Sequence, residues 1–149
     1  MTDRPDTATE LRARALRLLA RREHSRAELA RKLAPHAESD DALQQVLEKL
    51  VEKKQLSDER FAAERARWLS RKYGAARIRQ DLRQRGLDRQ LIDGVSSEGE
   101  LERASAILSR KYREPAGTHA ERAKRMRFLQ SRGFSSEIIH RLLSARDAD

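Results

Sequence analysis

The side chains best suited to chemistry in this chain are cations. Arg79 and Arg83 share one strip of a predicted helix and have no acid four residues away on either side. Lys124, Arg125 and Arg127, with Arg122, crowd a second predicted helix in which Glu121 is the acid that opposes them. Arg71-Lys72 recurs as Arg110-Lys111 at matching positions of a repeated pentapeptide. Lys and Arg donate hydrogen bonds and accept none, so clusters of them bind phosphate or carboxylate oxygens. Any one of them alone reads as a solvated surface residue. Their recurrence in register argues for a shared basic face. Arg77, Asp81 and Arg85, spaced i, i+4 and i+8, read instead as charge pairing along one helix.

Other chemistry has little to stand on. His24, His36, His119 and His140 show no metal-ligand spacing and read as structural, with His140 among the core-facing residues of its helix. There is no Gly-rich phosphate loop and no nucleophile elbow. The chain holds no cysteine, which excludes disulfides and thiolate metal sites. The expectation is a non-enzymatic protein with no catalytic residue, cofactor or metal. Trp68, Tyr73 and Tyr112 have rings that stack on bases in other settings. Tyr73 and Tyr112 fall on apolar stripes and read as core, which leaves too few rings to favour a stacking platform.

The elements that must position these residues are written twice. Leu69-Ser70-Arg71-Lys72-Tyr73 returns as Leu108-Ser109-Arg110-Lys111-Tyr112, and Arg85-Gly86-Leu87-Asp88 is echoed by Arg132-Gly133-Phe134-Ser135. Gly86 and Gly133 stand where a helix must stop, because glycine reaches the left-handed conformation without a Cβ penalty. Asp88 and Ser135 are N-cap types for the next helix, and the Leu87/Ile92 and Phe134/Ile139 pairs have hydrophobic-staple spacing. Ser25-x-x-Glu28 and Ser97-x-x-Glu100 are predicted capping boxes, and Ser57 a predicted cap.

Apolar periodicity predicts nine helices in three groups of three, starting near Thr9, Ser25, Ser39, Ser57, Ala75, Asp88, Ser97, His119 and Ser135. Pro35 falls beyond the end of the second. No stretch has the alternation and β-branched content of a strand. The fold class is therefore all-α: three tandem three-helix repeats in an elongated, curved array, with repeat one (9–56) diverged, repeat two over 57–96 and repeat three over 97–146. Residues 1–8 are predicted to be disordered and 147–149 to be a frayed tail.

Lys and Arg number 33 against 24 Asp and Glu, a formal net charge of +9, which favours polyanionic or acidic partners. Each predicted repeat carries an excess of basic residues, largest in the third. The N-terminus is polar and no apolar run approaches membrane-spanning length, so the protein is expected to be cytoplasmic, monomeric and free of membrane contact.

Several motifs together resemble the RecX family of recombination regulators over nearly the whole chain. They are Ser25-Arg26-Ala27-Glu28-Leu29, then Leu56-Ser57-Asp58-Glu59-Arg60-Phe61-Ala62, then Tyr73-Gly74 with Arg77-Ile78. Leu82 through Arg85-Gly86-Leu87 follows, and Arg132-Gly133-Phe134-Ser135 with Ile138 closes the pattern. The family usually shows a glycine shortly before D-E-x-F-A, where this chain has Lys54-Gln55. The resemblance implies a regulator that binds the RecA recombinase filament on single-stranded DNA and modulates, chiefly inhibits, its ATPase, strand-exchange and co-protease activities. It also implies direct contact with single- and double-stranded DNA. The residues assigned to the recombinase and DNA contacts together are Arg71, Lys72, Arg79, Arg83, Arg110, Lys111, Lys124, Arg125 and Arg127. The alternative reading of the same residues is a stand-alone nucleic-acid-binding protein made of tandem helical modules. A third is a helical scaffold whose charge serves solubility.

Overall fold

A computed structural model describes residues 4–147. Among the described residues the chain forms nine α-helices and one 3-10 turn. They are α1 (Ala8–Arg21), α2 (Arg26–Leu33), α3 (Asp40–Glu52), α4 (Asp58–Leu69), α5 (Ala75–Gln84), α6 (Arg89–Asp93), α7 (Glu100–Lys111), α8 (His119–Ser131) and α9 (Ser136–Asp147). Pro35 does not stand clear of α2. It sits inside the 3-10 turn Ala34–His36, which continues directly from that helix.

The predicted caps are largely local and largely in place. Ser25, Ser39, Ser57, Asp88 and Ser135 each accept the backbone N–H three residues on, and so does Thr118, which the sequence pattern left in a loop. The complete capping box is one that the sequence pattern did not single out, Thr7 with Glu10 at the start of α1. Its neighbours are ordered with it. Arg4 pairs with Glu10 and Asp6 with Arg14, and the Asp6 N–H donates to the His36 carbonyl at 2.8 Å. Disorder was expected over residues 1–8; residues 4–7 carry these contacts, whereas residues 1–3 lie outside the described residues. At the other end α9 runs to Asp147, and the rest of the expected frayed tail, 148–149, also lies outside them.

The described residues form two compact units. The first takes the chain to Glu64 with Arg85–Leu87, and the second takes Arg65–Gln84 with Asp88 onward. The core of the first unit is Leu11, Ala15, Leu29, Leu33, Leu43, Val46, Leu47, Leu50 and Leu56, drawn from α1, α2, α3 and the turn that follows. Burying a leucine of this kind is worth about 1.5–3 kcal/mol, so these leucines are what holds three short helices together. The last turn of α3 ends in a Schellman arrangement. The Gln55 N–H reaches the Leu50 carbonyl and the Lys54 N–H that of Val51, with Lys54 left-handed at φ 61°. The left-handed conformation falls just where the family resemblance would place a glycine.

In the second unit α7, α8 and α9 pack around Ala104, Ile107, Leu108, Leu129, Phe134, Ile139, Leu142 and Leu143. Gly133 is left-handed at φ 88°, and the Phe134 N–H closes on the Leu129 carbonyl, as the helix-stop pattern requires. His140, expected on the core face of α9, is exposed; Ile139, Leu142 and Leu143 fill that face instead. The predicted box at Ser97-x-x-Glu100 does not form. Gly99 is the N-cap of α7, and Glu100 is buried with its carboxylate accepting the backbone N–H of Ala75, the first residue of α5. Asp58, the first residue of α4, does the same in the first unit, accepting the N–H of Arg26 at the start of α2 at 2.7 Å.

Candidate functional site

The two copies of the repeated pentapeptide lie together in the second unit. The Arg110 guanidinium donates to the Arg71 carbonyl at 3.1 Å. Both copies end alike, with the tyrosine N–H bonded to the leucine carbonyl four residues back: Tyr73 to Leu69 at 2.9 Å and Tyr112 to Leu108 at 2.8 Å. Between those ends they differ. Arg110 and Lys111 remain in α7, whereas Arg71 and Lys72 sit in a tighter turn past the end of α4, bonded three residues back. The matching positions foreseen for Arg71-Lys72 and Arg110-Lys111 therefore hold in sequence but not in secondary structure.

The tyrosines are half-buried, and cations cover their rings. Arg77 lies 5.0 Å and Arg132 5.4 Å from the centre of Tyr73. Arg132 also lies 5.1 Å from Phe128, and Lys111 lies 4.4 Å from the same ring. Phe128 meets Tyr112 edge to face, with centroids 6.1 Å apart, and Arg125 lies 4.6 Å from Tyr112. The result is a continuous row: Arg77, Tyr73, Arg132, Phe128, Lys111 and Arg125 joined through Tyr112. Each contact of this kind is worth about 0.5–1 kcal/mol where exposed and more where water is excluded. The row sets these cations against aromatic rings.

The nine sequence-predicted residues fall into distinct situations. Arg71, Lys72, Arg83, Arg110, Lys111, Lys124 and Arg127 are exposed. Arg79 is half-buried and donates to the Val95 carbonyl at 3.2 Å, closing the loop after α6. Arg125 is the correction. It is 6% exposed and faces inward beside Leu129, its guanidinium stacked on Tyr112 and its Nε without a hydrogen-bond partner among the described residues. The long stem and planar head let Arg125 pass for an apolar residue on that face, which a count of charges along α8 does not reveal. A partner from α4 joins the charges foreseen along Arg77, Asp81 and Arg85. Asp81 takes the Arg65 guanidinium in a two-bond fork at 3.0 Å, and Arg77 turns to Tyr73 and the Ser131 carbonyl.

Beside the row lies a cleft of about 410 Å³, lined by Arg65, Trp68, Leu69, Arg71, Lys72, Tyr73, Arg77 and Asp81. Trp68 is 57% exposed at its edge, with Arg65 5.0 Å from the ring centre. Trp68, weighed from the sequence as a stacking ring, and Arg77, read there as part of a charge ladder, both line this cleft. The sequence signal for both is proximity to the repeated pentapeptide, one residue before it and four after.

Comparison with known proteins fits this geometry. The family descriptions "RecX, first three-helix domain", "RecX, second three-helix domain" and "RecX, third three-helix domain" match residues 12–50, 57–95 and 98–143. The "Regulatory protein RecX" of Ralstonia nicotianae is 42% identical over 97% of this chain and 92% of its own. That of Pseudomonas entomophila is 44% identical over 95% of both chains, and one from Neisseria gonorrhoeae is 43% identical over 89% and 88%. In fold, the crystal structure of RecX from Lactobacillus salivarius superposes with a TM-score of 0.83 over 95% of this chain and 97% of its own, at 19% identity. No helix among the described residues is long and apolar enough to cross a membrane. The chain belongs to the RecX family, an all-α family of regulatory proteins rather than enzymes.

Proposed function

We propose that this protein binds the RecA recombinase filament on single-stranded DNA in the cytoplasm and inhibits its ATP hydrolysis, strand exchange and co-protease activity. The observation that carries the proposal is the basic surface of the second unit, where Arg71, Lys72, Arg110 and Lys111 are exposed around the joined pentapeptides. Lys124, Arg127 and Arg83 extend the contact. Arg79 and Arg125 hold the surface in shape rather than touching the partner.

The three sequence repeats, 9–56, 57–96 and 97–146, each offer contacts of their own, and the protein acts as a monomer. A filament is itself a row of like subunits. Linked weak contacts along it convert into avidity, because each contact raises the effective concentration of the next. DNA phosphates, single- or double-stranded, contribute a salt-dependent share.

The test is binding of fluorescently labelled protein to recombinase filaments and to naked single strands over a range of salt concentrations. The proposal expects tight filament binding that persists at salt sufficient to release the naked strand. Paired charge reversal, Arg110→Glu with Lys124→Glu, is expected to weaken filament binding at least tenfold. Equal affinity for filament and naked strand at every salt concentration would overturn it in favour of a stand-alone nucleic-acid-binding protein.

A further inference from the structure

The corner between α4 and α5 must satisfy the last carbonyls of one helix and the first N–H groups of the next within a few residues. The local sequence offers little for this. Gly74, whose carbonyl accepts the Ile78 N–H, stands at the N-cap of α5 and has no side chain to accept a hydrogen bond. The missing partners come from α7 and the end of α8. The Gly74 N–H donates to the carbonyl of Arg132, the C-cap of α8, at 2.7 Å. The Ala75 N–H donates to the carboxylate of Glu100, the first residue of α7. The Tyr73 carbonyl accepts from the Arg103 guanidinium at 3.4 Å, and the Arg71 carbonyl accepts from Arg110 at 3.1 Å. Arg71, Tyr73, Gly74 and Ala75 are thus all held through their backbones by elements that follow in the chain. There is no slack in the fit, since a Cβ on Gly74 would stand 2.5 Å from the Gly133 carbonyl oxygen.

Glu100 is 6% exposed, and Arg103 is half-buried with a nitrogen 3.8 Å from the Glu100 carboxylate. The tract they hold carries exposed cations at both ends, Arg71 and Lys72 before it and Arg77 after it. We propose that Glu100 and Arg103 are positioning residues, which fix the α4–α5 corner and so set where Arg71, Lys72 and Arg77 stand for a partner that neither of them touches. A helix start that loses its cap frays through its first turn, and Arg77 lies in the first turn of α5. Loss of the carboxylate also releases Arg103 from the pair that keeps it beside the Tyr73 carbonyl. The cations that follow α4 are therefore placed by side chains of α7, well away in sequence, and a change confined to the start of α7 alters recognition at the end of α4. The inference rests on the recombinase reading for its binding measurement, and on the backbone of the corner itself for the other.

The experiment uses the full chain in five variants: Glu100→Ala, Glu100→Gln, Arg103→Ala, Arg103→Lys, and Ile139→Val as a core change away from the corner. Amide hydrogen exchange followed by NMR reads the corner without any partner. In Glu100→Ala, exchange at Gly74 and Ala75 is expected to speed about tenfold, with Leu129 in α8 unchanged, and Glu100→Gln is expected to return most of the protection. Binding of labelled protein to recombinase filaments is expected to weaken several-fold in Glu100→Ala and Arg103→Ala at matched circular dichroism. It is expected to recover in Glu100→Gln and Arg103→Lys and to hold in Ile139→Val. Exchange that rises evenly over α7, α8 and α9 would overturn the proposal and leave Glu100 as a residue of general stability. Wild-type filament binding by Glu100→Ala despite fast exchange at the corner would overturn it too, as would equal weakening in Ile139→Val. Should the wild type bind no filament, the recombinase reading fails, and the exchange pattern alone decides for the fixed corner if local or against it if global.

Discussion

The carboxylate of Glu100 accepts the backbone N–H of Ala75, 25 residues earlier in the chain. Glu100 opens α7 and Ala75 opens α5, so the first residue of one helix caps the first residue of another. Asp58 and Arg26 repeat the relationship between α4 and α2. In each case an acid at a helix start, where the dipole already favours it, also satisfies an orphan N–H of a second helix. Removing the Glu100 side chain takes away a buried acceptor and leaves Arg103, 3.8 Å away, without its carboxylate. Glu100→Ala is expected to cost about 1–2 kcal/mol, with Glu100→Gln closer to wild type. Urea unfolding checks this as a lower midpoint at unchanged slope, and equal midpoints for the two variants would contradict the capping role.

Gly74 and Gly133 approach each other too closely for side chains. A Cβ on Gly74 would come within 2.5 Å of the Gly133 carbonyl oxygen, and one on Gly133 within 2.5 Å of the Arg77 Cβ. Gly133 is also left-handed, which alone costs a non-glycine residue about 1–2 kcal/mol. Gly133→Ala is therefore expected to lose more stability than Gly99→Ala, which meets nothing within 4 Å at a similar positive φ. Thermal melts of the two variants compare the terms directly: the difference between them reports the close approach to Arg77.

These glycines also show how far the sequence reaches. The helix stops at Gly86 and Gly133, and the caps at Ser25, Ser39, Ser57, Asp88 and Ser135, were legible because each depends on steric and hydrogen-bonding rules within a few residues. The partner of Glu100 was not legible, since the N–H it satisfies lies on another helix. Arg125 was misplaced because its stack on Tyr112 replaces solvent for the guanidinium, and charge counting along α8 cannot see a ring from α7's end. The basic face was foreseen as recurring cations. Its organisation around Tyr73, Phe128 and Tyr112 depends on packing that brings the two pentapeptides side by side.

Lys54 holds a left-handed conformation in a turn whose hydrogen bonds are those of a glycine stop. Its side chain is exposed, so nothing is lost from the core on removing it. Lys54→Gly is expected to stabilise the fold by about 0.5–1 kcal/mol, the relief of left-handed strain less the extra chain entropy of glycine. A rise in the urea midpoint checks it, and a fall would show that the lysine side chain makes a contribution beyond the turn.

His24 is buried, with Nδ1 3.1 Å from the Arg22 carbonyl oxygen and Nε2 3.1 Å from the Lys32 ammonium. A neutral ring protonated at Nδ1 satisfies both, donating to the carbonyl and accepting from the ammonium. Burial pushes its pKa below the ordinary imidazole value, with the Arg22 and Lys32 charges adding to the effect and Glu28 opposing it. Glu28 beside it is lowered to about 2, first by its hydrogen bonds from Arg22. Both folded values lie below the unfolded ones, so in both cases the unfolded state binds protons first as pH falls. The His24 contribution is present above the ordinary histidine range and lost as pH drops through it. That of Glu28 is lost lower, between the ordinary carboxylate range and about pH 2. Imidazole proton shifts followed by NMR are expected to place His24 below the ordinary imidazole value, and a value above it would contradict the buried neutral ring.

The most direct test of the regulatory role is ATP hydrolysis by the RecA recombinase on single-stranded DNA, titrated with this protein far below one copy per recombinase subunit. The account predicts suppression at those ratios, weakened by Arg110→Glu with Lys124→Glu and, at salt sufficient to release the naked strand, unchanged by added free single strands. Inhibition that follows coverage of the DNA and disappears when excess strand is supplied would contradict it.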